Sequence, residues 1–240
     1  MKLLVDIGNT RTKYIDSRNI CLNPSSIVVN TLLDSDWFSK NWQAVSHLII
    51  SNVNEISLTE KIRTWATLND ISCNFIQSEK SQFGVTSYYT EPSQLGVDRW
   101  LALLGAASIH PKKNILIVDT GSATTVDILA NGKQHLGGWI LPGIDMMYES
   151  LLSNTARIKS NKIEQPSLVF GASSSENVNN GCWAATVGLI EMAIIESERQ
   201  LEKLDLILLT GGNAEKLSGL ISRETQVVDN LIFHGLDRYN

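Results

Sequence analysis

The sequence predicts an α/β protein made of two duplicated halves, and three observations carry that reading. Two segments share one pattern: an apolar run, an aspartate, any residue, a glycine and then hydroxyl-rich residues. Their aspartates, Asp6 and Asp119, stand 113 residues apart in a chain of 240, close to half its length. After each copy the apolar spacing suits strands first and helices later, the order of a mixed α/β layer. The repeat therefore divides the chain into an N-terminal half, residues 1–110, and a C-terminal half, residues 111–240, expected to share one cleft. A chain that is 43% hydrophobic and 19% charged holds enough apolar material to fold around such cores.

The first copy, Leu3-Leu4-Val5-Asp6-Ile7-Gly8-Asn9-Thr10, reads as a buried strand closed by a tight glycine turn. Thr12 to Ile15 resumes strand character, and Ser25 to Val29 is a weaker third strand. Ala44 to Val53 reads as a buried strand, and Glu55 to Leu68 places Leu58, Ile62, Trp65 and Ala66 at helical spacing. A helix over Ser93 to Ser108 follows Pro92 and carries Leu95, Leu101, Leu103 and Leu104. The second copy, Ile115 to Val118 and then Asp119, leads to a strand over Thr124 to Leu129. Asn131-Gly132 is a strong hairpin signal, and His135 to Leu141 is the returning strand. Asn177 to Leu204 reads as one long helix, apolar through Trp183, Val187, Ile190, Ala193 and Ile194 and charged from Glu196. The strand Leu206 to Leu209, a Thr210-Gly211-Gly212-Asn213 turn and two short helices complete the chain. Ser153 to Ser167 is polar and without period, as expected of a mobile loop or lid. The six tryptophans are scattered, as core or interface residues would be.

Charge and composition remove several classes of function. With 25 Asp and Glu against 20 Lys and Arg, the net charge is −5, unfavourable for a protein whose main partner is nucleic acid. No stretch approaches the roughly 18 to 20 uninterrupted apolar residues of a membrane span. Lys2 is followed only by three apolar residues before Asp6, too few for a signal peptide. Cys21, Cys73 and Cys182 lie far apart and suit a reduced, cytoplasmic setting. The four histidines lack zinc-ligand spacing. No nucleic-acid or membrane partner is expected.

A strand that ends in aspartate and runs into a glycine turn suits phosphate and metal together. Glycine lets backbone N–H groups approach a phosphate, while the carboxylate can hold Mg²⁺ directly or through water. Two such turns could clamp a triphosphate, and Gly211-Gly212 would let an adenosine lie against bare backbone. No GxxxxGK[ST] and no GxGxxG is present, so the nucleotide is held without either loop. Lys13 could reach a phosphate or be a plain surface lysine. Asp127 could support the second turn or be a solvated strand-end carboxylate.

The order of these turns resembles the actin, Hsp70 and sugar-kinase superfamily. Asp6-Ile7-Gly8-Asn9-Thr10, Gly96-Val97-Asp98-Arg99, Asp119-Thr120-Gly121-Ser122-Ala123-Thr124-Thr125, Gly137 to Gly143 and Thr210-Gly211-Gly212 resemble the successive signatures of type III pantothenate kinases, in that family's order. The resemblance implies a duplicated actin-like (ribonuclease H-like) ATPase fold, two α/β halves around a central nucleotide cleft. It implies ATP-dependent phosphorylation of pantothenate, the first step of coenzyme A synthesis.

Residue by residue, the resemblance makes Asp98 the catalytic base. A carboxylate at a helix start beside an arginine is in a setting that favours its charged form. Arg99 would hold the pantothenate carboxylate, with Gly96, Val97 and Asp98 around it. Tyr89 matches a substrate-contacting tyrosine, although Glu91 replaces the family's Asn and Tyr88 could take the role. Asp6, Ile7, Gly8, Asn9, Thr10, Arg11, Thr12 and Lys13 would hold the ATP phosphates, together with Gly121, Ser122, Gly211 and Gly212. Asp6 and Asp119 are the implied metal ligands: Mg²⁺ accompanies ATP, and Asp119 matches the position of a monovalent cation, K⁺ or NH₄⁺. The residues alone do not distinguish K⁺ from Mg²⁺ at Asp119. Ser174 would reach substrate across a homodimer, or serve as a helix N-cap. Two alternatives differ in class: a small-alcohol or sugar kinase of the superfamily, and a transcriptional accessory factor without required turnover.

Overall fold

The computed structural model describes residues 1–54, 56–155 and 158–239. Its contacts form two compact units: Met1–Pro111 with Gly132–His135 and Asp229–Asn240, and Lys112–Asn131 with Leu136–Val228.

The first unit holds β1 (Lys2–Ile7), β2 (Arg11–Asp16), β3 (Ser26–Val29), α1 (Ser35–Asn41), β4 (His47–Asn52), α2 (Ile56–Leu68), β5 (Ser72–Phe75), the short β6 (Ser81–Gln82) and β7 (Val85–Thr86), and α3 (Val97–Ile109). Five strands make a mixed sheet in the order β3-β2-β1-β4-β5, with β1–β2–β3 antiparallel and β1, β4 and β5 parallel. Successive side chains of β1 point to opposite faces. Leu3, Val5 and Ile7 join Phe38, Trp42, Leu58, Ile62 and Trp65 in one core. Leu4 is equally buried on the other face, so β1 reads as a continuous apolar run ended by Asp6. The Asp34 side chain caps α1 by accepting from Trp37 N at 2.8 Å.

The second unit holds β8 (Ile115–Thr120), β9 (Ala123–Ala130), most of β10 (Gln134–Pro142), α4 (Ile144–Ser153), α5 (Ser174–Gln200), β11 (Leu206–Thr210), α6 (Ala214–Ser218) and β12 (Gln226–Val227). Its strands follow the order β12-β11-β8-β9-β10, with β8 antiparallel to β9 and parallel to β11. Asn131 and Gly132 both take positive φ, 52° and 60°, in the three-residue turn between β9 and β10, conformations that Asn and Gly tolerate best. A capping box between Ser173 and Glu176 starts α5. This helix is long and apolar enough to cross a membrane by length and composition alone. It is mostly buried, with Trp183, Val187, Ile190 and Ile194 in the unit's core, which makes it a core helix.

The last helix, α7 (Leu231–Leu236), returns to the first unit and packs on α3 and on β1, covering the Leu4 face. Two glycines let the helix backbones meet. A Cβ at Gly105 would lie 2.2 Å from Leu231 O, and one at Gly235 would lie 2.1 Å from Leu101 O. Trp100 Nε1 donates to Tyr239 Oη at 3.1 Å beyond it.

Several expected boundaries move. The helix expected over Ser93–Ser108 becomes a single 3-10 turn, Pro92–Gln94, and an α-helix that begins only at Val97. Leu95 and Gly96 are extended between them, with ψ of 123° and 136°. The helix expected from Asn177 starts three residues earlier at its Ser173 cap and ends at Gln200 rather than Leu204. Of the helix expected over Glu55–Leu68, Glu55 lies outside the described residues, as do Ala156 and Arg157 of the polar Ser153–Ser167 segment. Helices α1 and α4 and strands β5, β6, β7 and β12 were not legible, being short or carrying few buried apolar residues. Four tryptophans, Trp42, Trp65, Trp100 and Trp183, are buried as expected, whereas Trp139 is 38% exposed.

Replacing Gly235 by Ala forces α7 away from α3. The expected loss is about 2 kcal/mol or more, the upper range for overpacking, read as a lower urea midpoint with an unchanged m-value.

Candidate active site

In the first unit the site is built at the end of β1. Asp6 lies in register with Ser51 on β4 and with Lys13 on β2. Side chains paired across strands share a face. Ser51 Oγ donates to Asp6 Oδ1 at 2.6 Å. Part of the residue stays accessible, but the carboxyl itself is packed among protein atoms. Burial raises its pKa above the ordinary value of 3.8, while the Ser51 hydrogen bond and the Lys13 charge oppose the rise and the negative charge of Asp98 adds to it. Lys13 is thus half-buried beside Asp6, rather than a plain surface lysine.

The chain then turns through Gly8, whose N–H donates to Arg11 O at 3.0 Å. Asn9, Thr10 and Arg11 are exposed at the turn, and Ile7 is buried, leaving its backbone alone for any ligand. The Thr12 hydroxyl is fully buried and donates to Asn30 Oδ1 at 2.8 Å.

Asp98 occupies the first turn of α3, and its Oδ1 accepts from Arg99 N at 2.8 Å. The carboxylate lies over Gly96, where a Cβ would sit 2.5 Å from Oδ1. The extended glycine that delays α3 thereby makes room for this side chain. Val97 is buried, and Arg99 is only 5% exposed. Arg99 Nη1 donates to Tyr89 Oη at 3.0 Å, and the Tyr89 ring stacks on buried His135 with planes 7° apart. Lys80 Nζ donates to Ser87 O and Tyr89 O, and Tyr89 N donates to Ser87 Oγ. Tyr89 is therefore the tyrosine joined to Arg99, while Tyr88 is 65% exposed.

The second unit repeats the turn. Gly121 N donates to Ala123 O at 2.9 Å, closing the turn at Ser122, and Thr120 Oγ1 donates to Thr210 O at 3.2 Å. Gly211, with φ of 92°, packs on this turn so closely that a Cβ would lie 2.6 Å from both Asp119 Oδ1 and Thr120 O. Gly143 does the same from the other side, 2.4 Å from Gly121 O. Gly212 has open space around it. Asp127 is 3% exposed, so the solvated alternative for it fails.

Ser174 is exposed in the first turn of α5, but the N-cap is Ser173, whose hydroxyl accepts from Glu176 N at 3.3 Å. Among the described residues no group of three or more His, Cys, Asp and Glu could cage a metal. A Mg²⁺ ion held by one carboxylate plus phosphates and waters needs no such cage, and Asp6 with an exposed turn fits that donor set. Sequence motifs gave no sign of Ser51, Asn30 and Asn54, which the sheet order brings to the first turn, or of Lys80 and His135, which hold Tyr89.

The model of the family described as type III pantothenate kinase matches residues 2–196. A Colwellia psychrerythraea protein of that description is 43% identical over 249 residues, covering 100% of each chain. A solved structure described as a conserved putative Baf family transcriptional activator from Campylobacter jejuni aligns with a TM-score of 0.63 at 25% identity, over 98% of this chain and 96% of that one. A putative 2-dehydro-3-deoxygalactonokinase from Sinorhizobium meliloti aligns at 0.56 with 13% identity, over 99% and 97%, and speaks for the fold alone. The actin-like α/β class expected from the sequence is the fold of these neighbours.

The buried Asp6 yields a pH prediction. A carboxyl whose folded pKa exceeds its unfolded value holds its proton more tightly when folded, so its contribution to stability falls as pH rises from 3.8 through the raised value. Asp6→Asn lacks this penalty. At neutral pH without ligands the variant melts higher than wild type, by roughly 2–4 °C if about 1 kcal/mol is relieved. The gap closes on acidification, as melts across pH would record.

Proposed function

Because the chain belongs to the type III pantothenate kinase family, we propose that Asp98 is the base that takes the proton from the substrate hydroxyl. The enzyme phosphorylates pantothenate with ATP, giving 4′-phosphopantothenate at the start of coenzyme A synthesis. The observation that carries the assignment is the seat of Asp98: first turn of a helix, beside buried Arg99, over a bare Gly96 and within electrostatic reach of Asp6.

In this reading Arg99 takes the pantothenate carboxylate, braced by its hydrogen bond to Tyr89. The γ-phosphoryl group passes to the primary hydroxyl while Asp98 removes the proton. The Asp6–Lys13 turn binds phosphate oxygens through backbone N–H groups and Lys13, and Gly121, Ser122, Gly211 and Gly212 serve nucleotide in the second unit. Mg²⁺, when bound at Asp6, supplies charge neutralisation for the phosphates. Asp119 with the carbonyls of its turn suits the monovalent cation, K⁺ or NH₄⁺. Most of the rate comes from positioning and electrostatics. Three unpaired cysteines support a reduced, cytoplasmic setting. The likeness to the Campylobacter jejuni protein described as a putative transcriptional activator favours one additional role, in transcription; an effect on transcript levels that survives Asp98→Asn would be that role.

Asp98→Asn is expected to lower kcat about 10²- to 10⁴-fold, the usual worth of a general base, with little change in the KM for ATP. Coupled ADP release with and without pantothenate, run in K⁺ and in Na⁺, checks this: wild-type turnover by the variant removes the base, and equal rates in both salts remove the monovalent site.

The homodimer is proposed on exposed apolar side chains of the second unit, Trp139, Ile140, Val169, Phe170, Met192 and Ile195. Ser174 lies four residues after Phe170 and is exposed in the first turn of α5. Sedimentation should give twice the 26.5 kDa chain mass, and Ile140→Ser with Phe170→Ser should shift it towards the monomer.

A further inference from the structure

Two asparagines outside every motif converge on the first phosphate turn. Asn30 follows β3, and its Nδ2 donates to Gly8 O at 2.8 Å and to Asn9 O at 3.3 Å. Asn54 follows β4, and its Nδ2 donates to the same two carbonyls, at 3.0 and 2.8 Å. The sheet order β3-β2-β1-β4 sets these residues on opposite sides of the turn that leaves β1. Both amides are themselves held. Asn30 Oδ1 accepts the buried Thr12 hydroxyl at 2.8 Å, and Asn30 N donates to Thr10 O. Asn54 N donates to Asn52 Oδ1 at 2.7 Å, and Asn52 Nδ2 donates to Thr59 Oγ1 at 2.6 Å.

A planar trans peptide points its N–H opposite to its C=O. The Gly8 carbonyl shares a peptide with the Asn9 N–H, and the Asn9 carbonyl shares one with the Thr10 N–H. With both carbonyls drawn to the asparagines, both N–H groups face away from them. Among the described residues neither has a backbone acceptor. Two successive N–H groups on one side make a concavity for an anion. A flip of either peptide would exchange its donor for a carbonyl oxygen, which repels phosphate.

We propose that Asn30 and Asn54 are positioning residues for the phosphoryl donor, locking these two peptides so that the turn offers N–H groups to the triphosphate of ATP. The proposal rests on the reading that this turn binds phosphate. The four donors share the two carbonyls: loss of either asparagine loosens both peptides while the other still restrains them, and loss of both frees them.

The test compares Asn30→Ala, Asn54→Ala and the double variant by steady-state kinetics with ATP and pantothenate, and by calorimetric binding of ATP and of adenosine. Each single variant should raise the KM for ATP about three- to tenfold, the worth of one or two neutral hydrogen bonds, with the KM for pantothenate and the affinity for adenosine nearly unchanged. The double variant should exceed the product of the two. A merely structural role would weaken ATP and adenosine alike, and that result overturns the proposal. Because each single variant keeps one amide on both carbonyls, an unchanged KM for ATP in both of them with additive or no effect in the double variant also overturns it; if the double variant does not fold, equal loss of ATP and adenosine in the singles decides the matter. Gly8→Ala, whose Cβ would press on Arg11 O at 3.1 Å, separates the two levels. If it raises the KM for ATP and the asparagine variants do not, the turn binds phosphate without this brace. If none of them does, the phosphate assignment fails and the brace fails with it.

Discussion

The burial of one carboxylate, Asp6, is the constraint on which the first unit's chemistry depends. Strand β1 is covered on both faces, which demands an apolar run, and an aspartate at its end must leave water as the strand does. The fold offsets that cost with what adjacent strands can deliver: a hydroxyl from Ser51 on one side and an ammonium from Lys13 on the other. Neither removes the penalty, since the carboxyl is still held above its ordinary pKa. A site that keeps an under-compensated negative charge is one that gains by taking up a cation. Strain of this sort is common where binding has to be selective for charge.

The same economy of space governs the backbone. Glycines stand where a side chain would occupy the volume of a functional group: Gly96 under the Asp98 carboxylate, Gly143 and Gly211 against the Asp119–Ser122 turn. At Gly211 the requirement is double, because φ of 92° disfavours any L side chain even where room exists. Gly212 carries no such demand, so the Gly-Gly pair does not act as a unit. Its first member shapes the turn, and its second leaves backbone uncovered.

Much of this was legible in the sequence, for physical reasons that can be named. The two Asp-turns end strands whose apolar runs are long and continuous, and Asn131-Gly132 takes the left-handed conformations that its residue types favour. Helix α3 was misplaced at its start because Pro92 is a good first helical residue, yet the extended Gly96 interrupts the run before Asp98. At α5 the N-cap alternative expected for Ser174 falls one residue earlier, because the capping box pairs Glu176 with Ser173. Asn30 and Asn54 were beyond reach for a different reason. Their role comes from β3 and β4 ending level with the turn, and register between strands distant in sequence is not written in either segment.

Alternation along β1 bears on why Asp98 and the Asp6 turn lie together. Leu4 and Asp6 share the face of β1 that α7 covers, and α3, which packs on α7 and on β4, carries Asp98 in its first turn within electrostatic reach of Asp6. Asp98 consequently raises the pKa of Asp6, and the two charges repel. Such repulsion is reciprocal, and a cation beside Asp6 would relieve it for both carboxylates. One strand's period of two residues thus helps to put the two carboxylates of the first unit within electrostatic reach of each other.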